Sequence, residues 1–192
     1  MNARHLLQAM GCSLLLSVVA GGPAVAEVLD GTRAVLAGVV VGVVDGDTAD
    51  VRLASGMVRI RLHAIDAPES GQPHGQDAKR ALSELVFGRQ VEVEPFEQDR
   101  YDRLVARLWI GELDVNAQML VAGHAWTYRR YADDPAYCAQ EMAARDGARG
   151  LWRLPVDQRV APWEWRQRKS RRDGFTDYSR ETGDACVASL GH

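Results

Sequence analysis

From Val35 to Val44 the chain is almost wholly apolar, and then two carboxylates flank one glycine in Val44-Asp45-Gly46-Asp47-Thr48. The apolar run predicts a strand. Beyond it, Ala49, Val51 and Leu53 alternate with Thr48, Asp50 and Arg52, the two-residue period of a half-buried strand. Ser55-Gly56 signals a turn. Val58, Ile60, Leu62 and Ala64 then alternate with Arg59, Arg61 and His63 in a third strand, so the three form an antiparallel meander. Next the period lengthens. Ala78, Ala81, Leu82, Leu85 and Val86 recur at helical spacing, and Gly88 stands where a C-terminal cap belongs. Val91 and Val93 mark a fourth strand, which Pro95 ends or confines to an edge because proline offers no amide to a ladder. Leu104, Ala106, Leu108 and Ile110 alternate through a fifth. Asp114 is placed to cap a short helix carrying Val115, Met119 and Ala122, stopped by Gly123. Asp134-Pro135 opens a third helix that ends near Gly147 to Gly150. From Pro155 onward no period is visible.

Three strands, a helix, two strands and two helices fit an α+β fold: a five-stranded Greek-key β-barrel of the OB type with three helices. Barrels of this type bind oligonucleotides or oligosaccharides on one face. The Asp-Gly-Asp stretch has two readings at this point, an ordinary turn or a binding site at a strand end.

Composition narrows the class. The 192 residues are 46% hydrophobic and 26% charged, as in a soluble globular protein. The first residues differ. Arg4 and His5 precede an apolar run from Met10 to Ala20, then Gly21-Gly22-Pro23 and Ala24-Val25-Ala26. That is a charged start, a short apolar centre and a small-residue cleavage site, which predicts a signal peptide over 1–26. The expected organisation is signal peptide 1–26, linker 27–34, barrel domain 35–153 and C-terminal tail 154–192. The protein is then periplasmic or secreted, with no stable membrane insertion after cleavage. Export leaves Cys138 and Cys186 as an even pair in an oxidising compartment, which predicts a disulfide tying the tail to the domain. The mature chain carries 22 basic and 26 acidic residues, net −4, which argues against a broad nucleic-acid platform but allows a small phosphate site. The clusters Arg100, Arg103 and Arg107, Arg129-Arg130, and Arg166 to Arg172 read as solvated faces or binding patches. Trp163 and Trp165 are expected to pack the tail, and His63, His74 and His124 to be structural or surface residues.

Candidate chemistry gathers near strand ends: Asp45 and Asp47, then Arg61-Leu62-His63-Ala64-Ile65-Asp66-Ala67-Pro68-Glu69, then Asp99-Arg100-Tyr101-Asp102-Arg103. On one rim of a small barrel such ends converge. These three motifs, in this order, closely resemble the staphylococcal-nuclease-like (thermonuclease) family. The segments Gly123 to Tyr131 and Arg149-Gly150-Leu151-Trp152 are also similar to it, so the likeness runs from about Val35 to Trp152.

The resemblance implies an endonuclease that hydrolyses DNA and RNA phosphodiesters with Ca²⁺ and little sequence specificity. Single-stranded or unpaired regions would be preferred and products would end in 3′-phosphate. It implies Asp47 and Asp66 as carboxylate ligands of Ca²⁺, with the carbonyl of Ala67 as a third ligand and Asp45 acting behind them or through water. Glu69 would be the general base, and Arg61 and Arg103 would grip the phosphate. Tyr101, Tyr128 and Tyr131 are candidates to contact bases or phosphate, with core packing as the competing reading. One departure stands out: Asp102 occupies a position that is glycine in the family. A monomer is expected. Two other readings stand beside the endonuclease one: a barrel that binds nucleic acid without cutting it, and a cell-envelope interaction protein with Cys138, Cys186 and the tryptophan tail as its working parts.

Overall fold

A computed structural model describes residues 35–167 and 176–191. The expected signal segment 1–26, the linker 27–34 and the basic residues Arg168, Lys169, Arg171 and Arg172 lie outside the described residues.

The meander is present as β1 (Leu36–Val43), β2 (Thr48–Leu53) and β3 (Gly56–Leu62), all antiparallel. After a two-residue strand β4 (Ile65–Asp66) comes α1 (Gly75–Val86), then β5 (Gln90–Gln98) and β6 (Leu104–Ile110). β5 pairs with β1 and β6, and β6 closes the barrel by pairing in parallel with β3. Five strands therefore shut on themselves, which leaves no open edges in the core sheet. The short β7 (Leu113–Asp114) extends the sheet, and β8 (Trp126–Thr127) pairs with β4. Helices α2 (Val115–Val121) and α3 (Pro135–Asp146) complete the expected three. Asp114 and Asp134 cap them as predicted, accepting from Ala117 N at 3.0 Å and Ala136 N at 2.8 Å.

Two local expectations are sharpened. Of the two readings of Pro95 the edge one holds: the fourth strand does not stop there but runs to Gln98, with only β6 beside it at Pro95. Pro95 is tolerated because the β1 ladder ends at Val93 and a bulge lies between Pro95 and Glu97. The third strand ends at Leu62 rather than Ala64, because Ala64 takes φ 62° and turns the chain into β4.

Ile60, Leu62, Leu82, Leu108 and Leu120 fill the barrel, essentially without solvent exposure. A second apolar cluster of Trp126, Trp152, Leu151 and Ala161, with Trp163 and Tyr178 against it, seats the tail. The tail carries two short helices, α4 (Pro162–Arg166) and α5 (Gly183–Ala188), too brief to announce themselves by periodicity. Cys138 of α3 and Cys186 of α5 form the expected disulfide. Closing 48 residues of sequence separation stabilises the fold by about 4 kcal/mol in the chain-entropy picture. No helix among the described residues is long and apolar enough to cross a membrane.

Candidate active site

The Asp-Gly-Asp stretch is both a turn and a site. Val44 N donates to Thr48 O at 2.8 Å and closes the β1–β2 hairpin. Gly46 does not serve a left-handed turn. A Cβ there would meet the Ala67 Cβ at 2.6 Å and the Ala78 Cβ at 2.7 Å, so the glycine lets the turn lie against the β4 exit and α1. That closeness turns Asp47 inward. Its Oδ2 accepts from Ala67 N at 2.7 Å, and its Oδ1 accepts from the Thr48 hydroxyl at 3.1 Å. Asp45 stays nearer the surface, with its Oδ1 accepting from Asp47 N at 3.1 Å.

Arg61 stands opposite Thr48 in the β2–β3 ladder and reaches both buried acids. Its Nη1 lies 3.0 Å from Asp47 Oδ2, and its Nη2 donates to Asp66 Oδ1 at 2.8 Å. Nη1 also donates to the carbonyls of Leu62 at 3.1 Å and Ile65 at 2.9 Å. The Nη atoms of this expected phosphate grip are therefore engaged with backbone and acids. Burial alone would lower its pKa, but Asp47, Asp66 and Asp45 hold it above the ordinary value, so it stays charged. For Asp47, burial, together with repulsion from Asp45 and Asp66, pushes the pKa up to about 8 against the pull of Arg61 and the Ala67 amide. Asp66 is fully buried where β4 pairs with β8.

Glu69 sits on the turn after Pro68, about 39% exposed in its side chain. The turn is tight: a Cβ on Gly75 would come within 1.9 Å of the Glu69 carbonyl oxygen. Gln72 braces it, accepting from Glu69 N at 3.1 Å through Oε1 and donating through Nε2 to the Val160 carbonyl in the tail. Asp47, Asp66, Arg61 and Glu69 are thus brought together.

Arg103 is not drawn into that cluster. Its side chain pairs with Asp99, Nε at 2.8 Å and Nη2 at 2.7 Å from Oδ2. It precedes β6, whose Val105 pairs with Arg61, so it belongs to the same rim. Asp102 adopts φ 60°, the left-handed conformation that favours glycine. Tyr101 is well exposed and lies between the guanidinium groups of Arg100 and Arg103. Tyr131 is about half exposed. Tyr128 stacks flat on Trp163, with centroids 5.6 Å apart, so tail packing takes one of its faces. Trp163 packs the tail as expected, whereas Trp165 is 40% exposed and lies outside that cluster.

The residue that sequence reasoning missed is Arg166, the last of α4. Its Nη2 donates to Asp66 Oδ2 at 2.7 Å, and its Nη1 donates to Asp66 Oδ1 at 3.0 Å and Glu69 Oε1 at 2.8 Å. Burial would lower its pKa, but Asp66 and Glu69 raise it well above the ordinary arginine value. Nothing in Pro162-Trp163-Glu164-Trp165-Arg166 distinguishes this arginine from its basic neighbours. His74 and His124 also come together, with Nε2 and Nδ1 2.9 Å apart, although their spacing in sequence does not suggest it.

Four carboxylates therefore face two guanidinium groups. Among the described residues no three His, Cys, Asp or Glu side chains are arranged to cage an ion by themselves. The donor chemistry nonetheless suits a hard cation. Asp47 and Asp66, with the adjacent Ala67 carbonyl, are oxygen donors, and Ca²⁺ completes such a shell with water. The raised pKa of Asp47 shows that its charged form is disfavoured by burial and by the neighbouring acids, and a cation there would favour it.

Residues 59–154 match the family model described as staphylococcal nuclease homologue. Protein ParB of Escherichia coli is 38% identical over 183 residues, covering 90% of this chain and 98% of that protein. An uncharacterized endonuclease of Escherichia coli O157:H7 is 42% identical over 133 residues, 69% of this chain and 86% of its own length. A micrococcal nuclease of Shigella flexneri is 39% identical over 141 residues, 68% of this chain and 80% of its own.

Proposed function

This chain belongs to the staphylococcal nuclease homologue family and is a phosphodiester-hydrolysing endonuclease, and on that premise we propose that it is exported and uses Ca²⁺ to cut DNA and RNA with little sequence specificity. Single-stranded or unpaired regions are the proposed targets, because a small rim with exposed Tyr101 and Tyr131 suits splayed bases better than a duplex. Export is supported by the apolar run Met10 to Ala20 and by the Cys138–Cys186 disulfide, which suits an oxidising compartment.

The observation that carries the reading is the surplus of carboxylate on one rim, with buried Asp47 and Asp66 joined through Arg61 and a more exposed Glu69 beside them. A barrel that only bound nucleic acid would have no use for acids where phosphates approach. The ion would be held by Asp47, Asp66 and the Ala67 carbonyl, with Asp45 acting through water. Bound there, it supplies positive charge that polarises the phosphoryl group. Glu69, on the open side, takes the proton from the attacking water. Arg61 fixes the geometry of both buried acids. Arg103, with Asp99 as its resting partner, is the arginine free to turn toward a phosphate oxygen as negative charge develops there.

The test is cleavage of plasmid, single-stranded DNA and RNA with Ca²⁺ or with chelator. Chelation is expected to stop cutting, Glu69→Gln to lower kcat by about 10²–10⁴, and Arg103→Ala by about 10²–10³. Cutting that ignores chelator and survives both substitutions overturns the reading.

A further inference from the structure

We propose that Arg166, delivered by the C-terminal tail from outside the matched family segment 59–154, is a substrate-binding arginine that hands Asp66 over to the cation and takes the scissile phosphate in return. The inference rests on the nuclease reading above and names a further residue of that site.

Two guanidinium groups touch Asp66, and they are not alike. The Arg61 side chain is 12% exposed and commits its Nη atoms to two carbonyls and two carboxylates. Its Nη1 is fully engaged and its Nη2 is tied to Asp66, so it is the more firmly held of the two. The Arg166 side chain is 41% exposed, and it holds both oxygens of Asp66, Oδ1 shared with Arg61, and one oxygen of Glu69. These are oxygens that a cation on Asp66 and a water on Glu69 would claim. A guanidinium displaced from them does not lose its proton. It needs another planar pair of anionic oxygens, and the next such group to enter the site is a phosphate.

The displaced group also cannot travel far. Trp163, three residues earlier, stacks on Tyr128, and the Arg166 guanidinium lies 5.9 Å from the same Tyr128 ring. Buried Glu164 accepts from Thr176 N at 3.0 Å and from the Thr176 hydroxyl at 2.8 Å. Gln72 ties Val160 to the turn that carries Glu69. Further on, Glu181 pairs with Arg129, and Cys186 is bonded to Cys138. The tail is fastened on both sides of the arginine, so α4 presents a charged group to the acids at fixed range. In the ion-free protein that group partly offsets the acids' mutual repulsion. With Asp66 and Glu69 engaged by an ion and water, the exposed guanidinium of Arg166 would be left to a substrate phosphate.

The experiment compares wild type, Arg166→Gln and Arg166→Lys, with thermal melts to confirm that each is folded. Binding of a phosphorothioate-linked single-stranded oligonucleotide is followed by anisotropy in Ca²⁺ at several salt concentrations. Ca²⁺ binding to the free proteins is measured by calorimetry. Arg166→Gln is expected to weaken oligonucleotide binding about tenfold, the loss of a charged hydrogen-bonded contact. It should also reduce the magnitude of the salt slope by about 0.7, one phosphate contact on a single strand. Ca²⁺ should bind free Arg166→Gln at least as tightly as wild type, since a competitor for Asp66 is gone. Arg166→Lys should keep the salt slope and lose part of the affinity. Oligonucleotide binding and salt slope unchanged in Arg166→Gln, beside a wild type that cuts DNA, overturn the role of Arg166 alone. A wild type that neither binds nor cuts DNA with Ca²⁺ overturns this inference together with the nuclease reading.

Discussion

Beneath the tail, Arg129 and Arg145 face Glu141 and Glu181, and on the rim Arg61 and Arg166 face Asp45, Asp47, Asp66 and Glu69. The side chains are of the same kinds. In the first cluster the charges cancel and every member is nearly buried. Arg129 donates to the Thr127 carbonyl at 2.9 Å, and Glu141 accepts from Thr127 N at 2.7 Å, so the backbone shares in the satisfaction. In the second cluster the acids outnumber the bases, and two members, Glu69 and Arg166, open to solvent. A neutral, closed network holds the tail in place. An unbalanced, open one leaves acid in excess of base and within reach of solvent. Charge balance and access, rather than residue type, separate the strut from the site.

The largest expected effect breaks the strut. Glu141→Ala leaves Arg129 and Arg145 buried with one shared carboxylate, Glu181, where there were two, and removal of one member of a buried ion pair costs about 3–5 kcal/mol. Urea unfolding is the measurement. At temperatures where the variant is still folded, its cleavage rate should remain near that of wild type. Glu69→Gln should behave in the opposite way, disabling cleavage while changing stability by about 0.5 kcal/mol or less, as expected of an exposed position. If Glu141→Ala proved as stable as wild type, or Glu69→Gln unfolded as readily as Glu141→Ala, the distinction between the two clusters would fail.

A third ionisable pair sharpens the contrast through pH. His74 and His124 share a short contact in a cleft of about 620 Å³ that Asp77, Arg80, Glu84, Arg149 and Arg153 also line. Burial lowers both pKa values, more strongly for His124, where repulsion from His74 adds and the value falls to about 4. In the unfolded chain the same imidazole takes a proton near the ordinary 6.5. Between about pH 6.5 and 4 the unfolded state therefore binds more protons, and this pair makes the fold less stable as pH falls. His124→Asn should flatten that part of the stability curve. Carboxylates titrate in the same range in both proteins, so the quantity to read is the difference between the two urea-unfolding curves across pH. Parallel curves would mean that the pair is not held neutral by the fold.

The barrel was legible because its signals are local. Alternation marks β2, β3 and β6, and Asp114 and Asp134 cap the helices they precede. Most of the candidate site was legible too, since Asp47, Arg61, Asp66 and Glu69 come from neighbouring strand ends that a small barrel must bring together. What sequence could not disclose depends on contacts between distant segments. Arg166 meets Asp66 across 100 residues, and His124 meets His74 across 50. Neither encounter leaves a periodicity or a spacing to read. Pro95 left two outcomes open for a related reason, because its cost depends on whether a neighbour needs its amide, and β1 has already ended there.

The smallest expected effect concerns Asp102, on the same rim as the open cluster and next to Arg103. Its φ of 60° is a conformation that glycine takes freely and aspartate takes at some cost. Its neighbours fix that conformation: Asp102 N donates to the Asp99 carbonyl at 3.0 Å, and Asp99 Oδ1 accepts from Tyr101 N and Arg103 N at 2.9 and 3.1 Å. Asp102→Gly relieves the strain but loosens the unfolded chain, so the net gain in stability should be about 0.5 kcal/mol or less. The charge matters more. A carboxylate about 8 Å from a phosphate contributes about 0.5 kcal/mol of repulsion in water, and its removal should raise kcat/KM about twofold at low salt. That gain should shrink as ionic strength rises, because an exposed charge is screened over such a distance. Unchanged or lower kcat/KM in Asp102→Gly at low salt would mean that Arg103 does not approach the substrate phosphate from this turn.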